Sequence, residues 1–319
     1  MRRSSLLIAL VLAANSLAVS AQKLKSAEEY NNRGLEKQGR GDLDGAIEDY
    51  ATAISLKAKA STLATAYNNR ANARTVKNDL DGAVADYSKA IELQPGDEEN
   101  YYNRGVILLT QGQIDRAIAD FTKAIEISPR LAPAYNNRGN ARKAKGDLDG
   151  AIADYTAAVE RSPKYAEAFY NRGVAFQTNE KLEAAIRDYS RALELSPRFA
   201  DAYVNRGQAK QSRQDFDAAI ADYTLALEVN PKDAGTWFAR ASARQAKNDL
   251  AGASADYSKT LELEPANAQA LAYRGVVKMS QGRQIEANAD FEQAFKIDPS
   301  LKPRFEEFIR KYKAPKAKP

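Results

Sequence analysis

The sequence predicts an all-α fold, a solenoid of eight helix–turn–helix repeats, and three observations carry that prediction. An arginine recurs at Arg70, Arg104, Arg138, Arg172, Arg206, Arg240 and Arg274, 34 residues apart at every step. Each is followed sixteen residues later by the acid of an Ala-x-x-Asp-Tyr/Phe block, and nine residues beyond that by a proline. Between these markers the apolar residues fall at helical spacing, broken once per unit by a short polar turn. A fixed period overrides a domain count drawn from length, because each unit buries its apolar face only against its neighbours.

The first 21 residues are of a different kind. Arg2 and Arg3 precede an apolar run from Leu6 to Ala14, and Val19-Ser20-Ala21 fits a small-residue cleavage site before Gln22. The run is too short to span a bilayer, and residues 1–21 read as a secretory signal peptide, with a buried N-terminal helix as the alternative. The cleavage region holds no Cys, which argues against lipid attachment. Export to the periplasm or the exterior is therefore expected, with no transmembrane segment further on.

With Arg33 as the first marker, the units run at about 28–61, 64–97, 98–131, 132–165, 166–199, 200–233, 234–267 and 268–299. The first step is 37 residues instead of 34, and the extra three fall between Ile54 and Asn69. A lengthened second helix or a looser turn is expected there. The fourth unit shows the pattern best. Pro133 to Lys145 reads as a helix with proline in its first turn, Gly146-Asp147 breaks it with Asp147 as an N-cap, and Leu148, Ile152, Tyr155 and Ala158 form the apolar stripe of the second helix.

Small residues recur where helices must approach. Gly34, Gly105, Gly139, Gly173, Gly207 and Gly275 follow the marker arginine, with Ala71 and Ala241 as substitutes. An alanine recurs thirteen positions after each marker, from Ala46 to Ala287. The aromatic after each Asp, such as Tyr155 or Tyr189, is expected to fill the space between units.

Small residue, alanine, aromatic and proline at these offsets resemble the tetratricopeptide repeat family over about Glu28 to Pro299. The resemblance implies an alpha-alpha superhelix, a right-handed solenoid whose first helices line a concave groove for a peptide or partner helix. Most members have Leu where these units have Arg, and the chain looks like the variant whose repeats read Asn-Arg-Gly, common in bacterial proteins.

Each arginine offers a rigid fork of donors suited to a carboxylate on the adjacent helix. Arg70 with Asp86, Arg104 with Asp120, Arg138 with Asp154, Arg172 with Asp188 and Arg206 with Asp222 are expected to be structural ion pairs. A phosphate-binding arginine ladder is the alternative, and the matched acids argue against it. The asparagine before the marker forms a second column, Asn69, Asn103, Asn137, Asn171 and Asn205, which lapses at Ala239. Asn72, Asn140, Gln177, Gln208 and Gln211 are expected on the same face. Such amides can pair with the backbone of an extended peptide, or with one another along the stack; both remain open. Tyr102 and Tyr170, two residues before the marker, suggest less polar patches that anchor apolar side chains. The resemblance places this column on the groove wall.

At the C-terminal end, 301–313 reads as an amphipathic capping helix and 314–319 as a disordered basic tail. The whole chain carries a formal charge of +5. Without residues 1–21, Lys+Arg falls from 47 to 45 against 42 acids, about +3, too little to indicate nucleic acid. The chain has no His and no Cys, which excludes His-based acid–base chemistry, the usual triads and most zinc sites. No cofactor, no metal site and no enzymatic role are expected. The function expected is an exported, monomeric scaffold that binds a protein or peptide segment; a cell-wall or polysaccharide-binding module is the alternative.

Overall fold

Helix pairs joined by tight turns make up the chain in the computed structural model, which describes residues 26–313. The expected signal peptide at 1–21 and the tail at 314–319 lie outside those residues. In order, the helices are α1 (Ala27–Gly39), α2 (Leu43–Ser55), α3 (Ala60–Val76), α4 (Leu80–Leu93), α5 (Glu98–Thr110), α6 (Ile114–Ile127), α7 (Ala132–Lys145), α8 (Leu148–Arg161), α9 (Ala166–Thr178), α10 (Leu182–Leu195), α11 (Ala200–Ser212), α12 (Phe216–Val229), α13 (Ala234–Ala246), α14 (Leu250–Leu263), α15 (Ala268–Ser280), α16 (Gln284–Ile297) and α17 (Lys302–Lys313). Odd-numbered helices are the first, and even-numbered the second, of each repeat. The fold class is an all-α repeat solenoid. It divides at Lys145/Gly146 into two compact units. Within each, a second helix packs between the first helix of its own repeat and that of the next.

Turn chemistry sets the repeat. The residue eight after each marker arginine has positive φ, as at Gly41 (82°), Asn78 (61°), Gly112 (72°), Glu180 (55°), Gln214 (63°), Asn248 (65°) and Gly282 (80°). The left-handed conformation at this one position reverses the chain between the two helices. Next comes the N-cap of the second helix. Asp42, Asp79, Asp147 and Asp249 each accept from the backbone N–H three residues on, at 2.9, 3.1, 2.9 and 2.9 Å, satisfying an otherwise orphaned donor. At the start of α1, Ser26 and Glu29 form a reciprocal capping box.

The core is built from alanines and one ring per repeat. Tyr50, Tyr87, Phe121, Tyr189, Tyr223 and Tyr257 are all at most 2% exposed. Each ring lies on the small residue after the marker of its own repeat: a Cβ on Gly105, Gly173 or Gly207 would stand 2.9, 2.8 or 2.8 Å from a carbon of Phe121, Tyr189 or Tyr223. The ring also meets the alanine of the next first helix, as Tyr189 meets Ala209 and Tyr223 meets Ala243. The aromatic thus packs inside its own hairpin as well as between repeats.

The 37-residue first step is resolved differently from expectation. The second helix α2 has 13 residues, no longer than its counterparts, and the turn after it is short; the extension lies in the following first helix, α3, with 17 residues. No proline interrupts Ala60 to Leu63, so the helix starts about one turn early, without a side-chain cap from Lys59. At the C-terminal end Phe305 and Leu301 are buried with Leu271, Met279 and Phe291, so α17 covers the apolar end of the last repeat.

Candidate functional site

The arginine column is fully absorbed by the scaffold wherever its contacts are defined. Arg70, Arg104, Arg172 and Arg206 each donate Nε and Nη2 to both oxygens of Asp86, Asp120, Asp188 and Asp222, at 2.6–2.9 Å. The carboxylates are buried, so geometry and desolvation favour a bidentate pair over a site open to phosphate. Two further columns, both missed from sequence, complete the cluster. The third guanidinium nitrogen reaches back sixteen residues to a hydroxyl of the preceding repeat, as Arg104 to Ser88 (2.9 Å), Arg138 to Thr122 (3.1 Å), Arg206 to Ser190 (3.0 Å) and Arg240 to Thr224 (2.9 Å). A second cation, four residues after the marker, joins the acid: Arg74 on Asp86 (2.7 Å), Lys210 on Asp222 (2.8 Å), Lys278 on Asp290 (2.8 Å). Both columns follow the same 34-residue period and were legible as Ser/Thr after Asp-Tyr/Phe and Lys/Arg in the last turn of the first helix. In the first repeat Ala51 stands in the hydroxyl position, and both hydrogen bonds of Arg70 go to Asp86.

Electrostatics follow from this cluster. Hydrogen bonding to the carboxylate, working against burial, raises the guanidinium pKa of Arg33, Arg70 and Arg104 above its ordinary value. Burial pushes Asp49 upward, but the hydrogen bonds from Arg33 and Lys37 outweigh it and hold the carboxyl below its ordinary value.

The amide column links successive first helices. Asn69 donates to Asn31 (2.9 Å), Asn137 to the Tyr102 hydroxyl (3.1 Å) and Asn205 to the Tyr170 hydroxyl (2.9 Å). In each case the asparagine before one marker reaches the residue two before the previous marker. Asn72 donates to Asn68 (3.0 Å) and accepts from Tyr87, and Asn103 lies beside the Tyr87 phenol. Asn171 is buried and Asn140 half-buried. Asn69, Asn137 and Asn205 therefore link successive first helices. Tyr102 packs against Phe121, with ring centroids 6.0 Å apart. Tyr170 packs against Tyr189 at 5.9 Å and Phe199 at 4.7 Å.

The glutamines behave differently. Gln177 and Gln211 each accept from a buried phenol of their own repeat, Tyr189 at 2.8 Å and Tyr223 at 2.9 Å, while Gln208 is exposed. In the second unit these residues gather at two surface cavities in the same register. One, of about 320 Å³, is lined by Val174, Gln177, Thr178, Tyr189 and Asn205. The other, of about 460 Å³, is lined by Gln208, Gln211, Ser212, Phe216, Tyr223, Phe238, Ala239 and Ser242. Val174, Gln177, Thr178, Tyr189 and Asn205 become Gln208, Gln211, Ser212, Tyr223 and Ala239 one repeat on. Where the asparagine column lapses, Ala239 leaves room, and the larger cavity opens there. Half-buried Phe216 and Phe238 form part of its wall.

Among the described residues no group of three or more Asp, Glu, His or Cys side chains is placed to hold a metal ion, and no helix is long and apolar enough to cross a membrane.

Comparison with known proteins agrees with the geometry. A family model described as TPR repeat matches residues 71–112 and 139–180, and a second, described as tetratricopeptide repeat, matches 99–131, 166–199 and 200–233. No curated protein is matched by the sequence. Among solved structures, the C-terminal part of a TPR repeat-containing protein from Cytophaga hutchinsonii superposes with a TM-score of 0.63 at 21% identity, covering 75% of this chain and 97% of that one. A tetratricopeptide repeat protein from Parabacteroides merdae gives 0.56 at 21% identity, covering 78% and 98%. YrrB, described as a TPR protein with an unusual peptide-binding site, gives 0.52 at 24% identity, covering 58% and 95%. The chain thus has the tetratricopeptide-repeat fold, and models of that repeat match it at intervals between residues 71 and 233.

Proposed function

We propose that this protein is an exported, non-catalytic scaffold that binds an extended peptide segment of a partner protein along its first helices. The observation that carries the proposal is the pair of cavities at Gln177 and Gln211. They recur at the repeat period, and each combines an amide with apolar walls, as a surface must if it is to hold a chain running across repeats. The likeness to YrrB, which is described as having a peptide-binding site, supports the same view. The ring of Tyr170 is packed by Tyr189 and Phe199, which favours a peptide over a sugar stacked on that side chain.

Export forms part of the proposal and rests on Arg2-Arg3, the apolar run Leu6 to Ala14 and Ala21-Gln22. So does membership of the Asn-Arg-Gly variant common in bacterial proteins. Sequencing the N-terminus of the mature protein tests export: a start at Gln22 is expected, and retention of Met1 contradicts it.

Site-specific photo-crosslinking in cells tests binding. A crosslinker at Gln208 or Ser242 is expected to capture a protein partner, and one at Glu194 or Glu228 on the second helices is not. Adducts only from the second helices, or only with glycan, contradict the proposal.

A further inference from the structure

We propose that the first helices of the second unit read backbone carbonyl oxygens of a peptide in the polyproline II conformation, one carbonyl per repeat, through the side-chain amides of Gln177, Gln211 and Gln245. The inference rests on the peptide-binding function above and adds the conformation of the ligand.

The three glutamines are oriented alike. The oxygen of each accepts from a phenol: Tyr189 at 2.8 Å, Tyr223 at 2.9 Å and Tyr257 at 3.0 Å. All three rings are 0% exposed, and burial raises each phenol well above its ordinary pKa. The hydroxyl therefore stays protonated and remains a donor. A phenol that donates fixes the amide, with its oxygen toward the ring and both N–H groups left to point elsewhere. Gln177 and Gln211 line the two surface cavities, so their free N–H groups belong to that surface. The result is a row of donors spaced one repeat apart, which calls for a ligand offering acceptors at the same interval.

Packed helices stand about 8–10 Å apart, and α9 with α11, and α11 with α13, are in contact. A β-strand returns the same group to one side every two residues, about 6.6 Å, short of that interval. An α-helix repeats at about 5.4 Å and has already used its carbonyls. Polyproline II has three residues per turn at about 3.1 Å each, so one face recurs every 9.3 Å or so, and its carbonyls make no internal hydrogen bonds. Its period and its free acceptors both suit the row. Phe216 and Phe238 in the larger cavity supply aromatic walls of the kind against which proline rings pack.

Selection of a random linear peptide library on the full chain tests the inference, combined with Gln211→Glu. That substitution keeps an oxygen for the Tyr223 hydroxyl but removes the N–H donors, so the thermal midpoint should hold. Selected peptides are expected to be enriched in proline and to bind the Gln211→Glu protein about tenfold more weakly. Binders without proline enrichment, or with the apolar spacing of an amphipathic helix, overturn the assigned conformation while leaving peptide binding in place. Proline-rich binders unaffected by Gln211→Glu overturn the role of the glutamines. A library that yields no binder contradicts the peptide-binding function itself.

Discussion

Gly207 and Tyr223 interlock within one helix pair: a Cβ on the glycine would stand 2.8 Å from Cε1 of the ring. The ring is fully buried and its hydroxyl is anchored on Gln211, so it cannot retreat without cost. Gly207→Ala gains helix propensity of about 1 kcal/mol but overpacks the pair by about 1–3 kcal/mol. We expect a net loss of about 1 kcal/mol, read from denaturant unfolding. At Ala241, whose repeat has settled around the methyl group, Ala241→Gly should also destabilise, by about 1 kcal/mol, through lost packing and propensity. Stabilisation by Gly207→Ala would show that the ring moves freely.

The turn position yields a prediction of opposite sign. Glu180 and Gln214 hold the left-handed conformation that Gly41, Gly112 and Gly282 occupy in other repeats, at a cost of about 1–2 kcal/mol for a residue with a Cβ. Glu180→Gly and Gln214→Gly should each stabilise the protein by about 1 kcal/mol after the entropy loss of glycine. Gly112→Ala should destabilise by a similar amount. Equal midpoints for all three variants would contradict the turn geometry.

The pair of Arg206 with the buried Asp222 should show strong coupling. Asp222 accepts from Arg206 at 2.9 and 2.7 Å and also pairs with Lys210 at 2.8 Å. Removing the guanidinium as Arg206→Met should cost about 3 kcal/mol, near the low end for a buried pair because Lys210 remains. Arg206→Met with Asp222→Leu should recover most of that loss. Additive losses in the double-mutant cycle would contradict the pairing.

High pH should loosen the stack. Burial pushes the Tyr50 and Tyr87 phenols up to about 12 from an ordinary value of 10.0. Above pH 10 the unfolded chain releases protons that the folded chain retains. Stability is therefore complete below pH 10 and falls by about 1.4 kcal/mol per pH unit for each such tyrosine until about pH 12. Followed by NMR of the individual rings, the Tyr50 and Tyr87 phenolates should appear late and together with loss of helix. Ionisation of these two rings near pH 10 with the helices intact would contradict the burial.

The offsets were legible because the 34-residue period holds one geometry in every repeat. Arg206 and Asp222 could be paired from their sixteen-residue separation alone, and Gly207 from its place beside the arginine. The longer first step was misplaced because Ala60-Ser61-Thr62-Leu63 can extend a helix from either direction, and only packing puts those residues at the start of α3. The asparagine column left two choices open, since an amide pairs with whichever partner is nearer, and the distance between first helices is not written in one repeat. Gln177 and Gln211 needed the structure for the same reason: their orientation is set by phenols twelve residues away. Ser190 and Thr224 went unread because serine and threonine at a helix surface usually carry no signal of their own.

Hydrogen exchange of the full chain, with and without a peptide selected on it, tests the proposed binding surface most directly. Protection is expected in α9, α11 and α13 around Gln177, Gln211 and Gln245, with α10, α12 and α14 little changed. Protection confined to the second helices while the peptide is bound would contradict it.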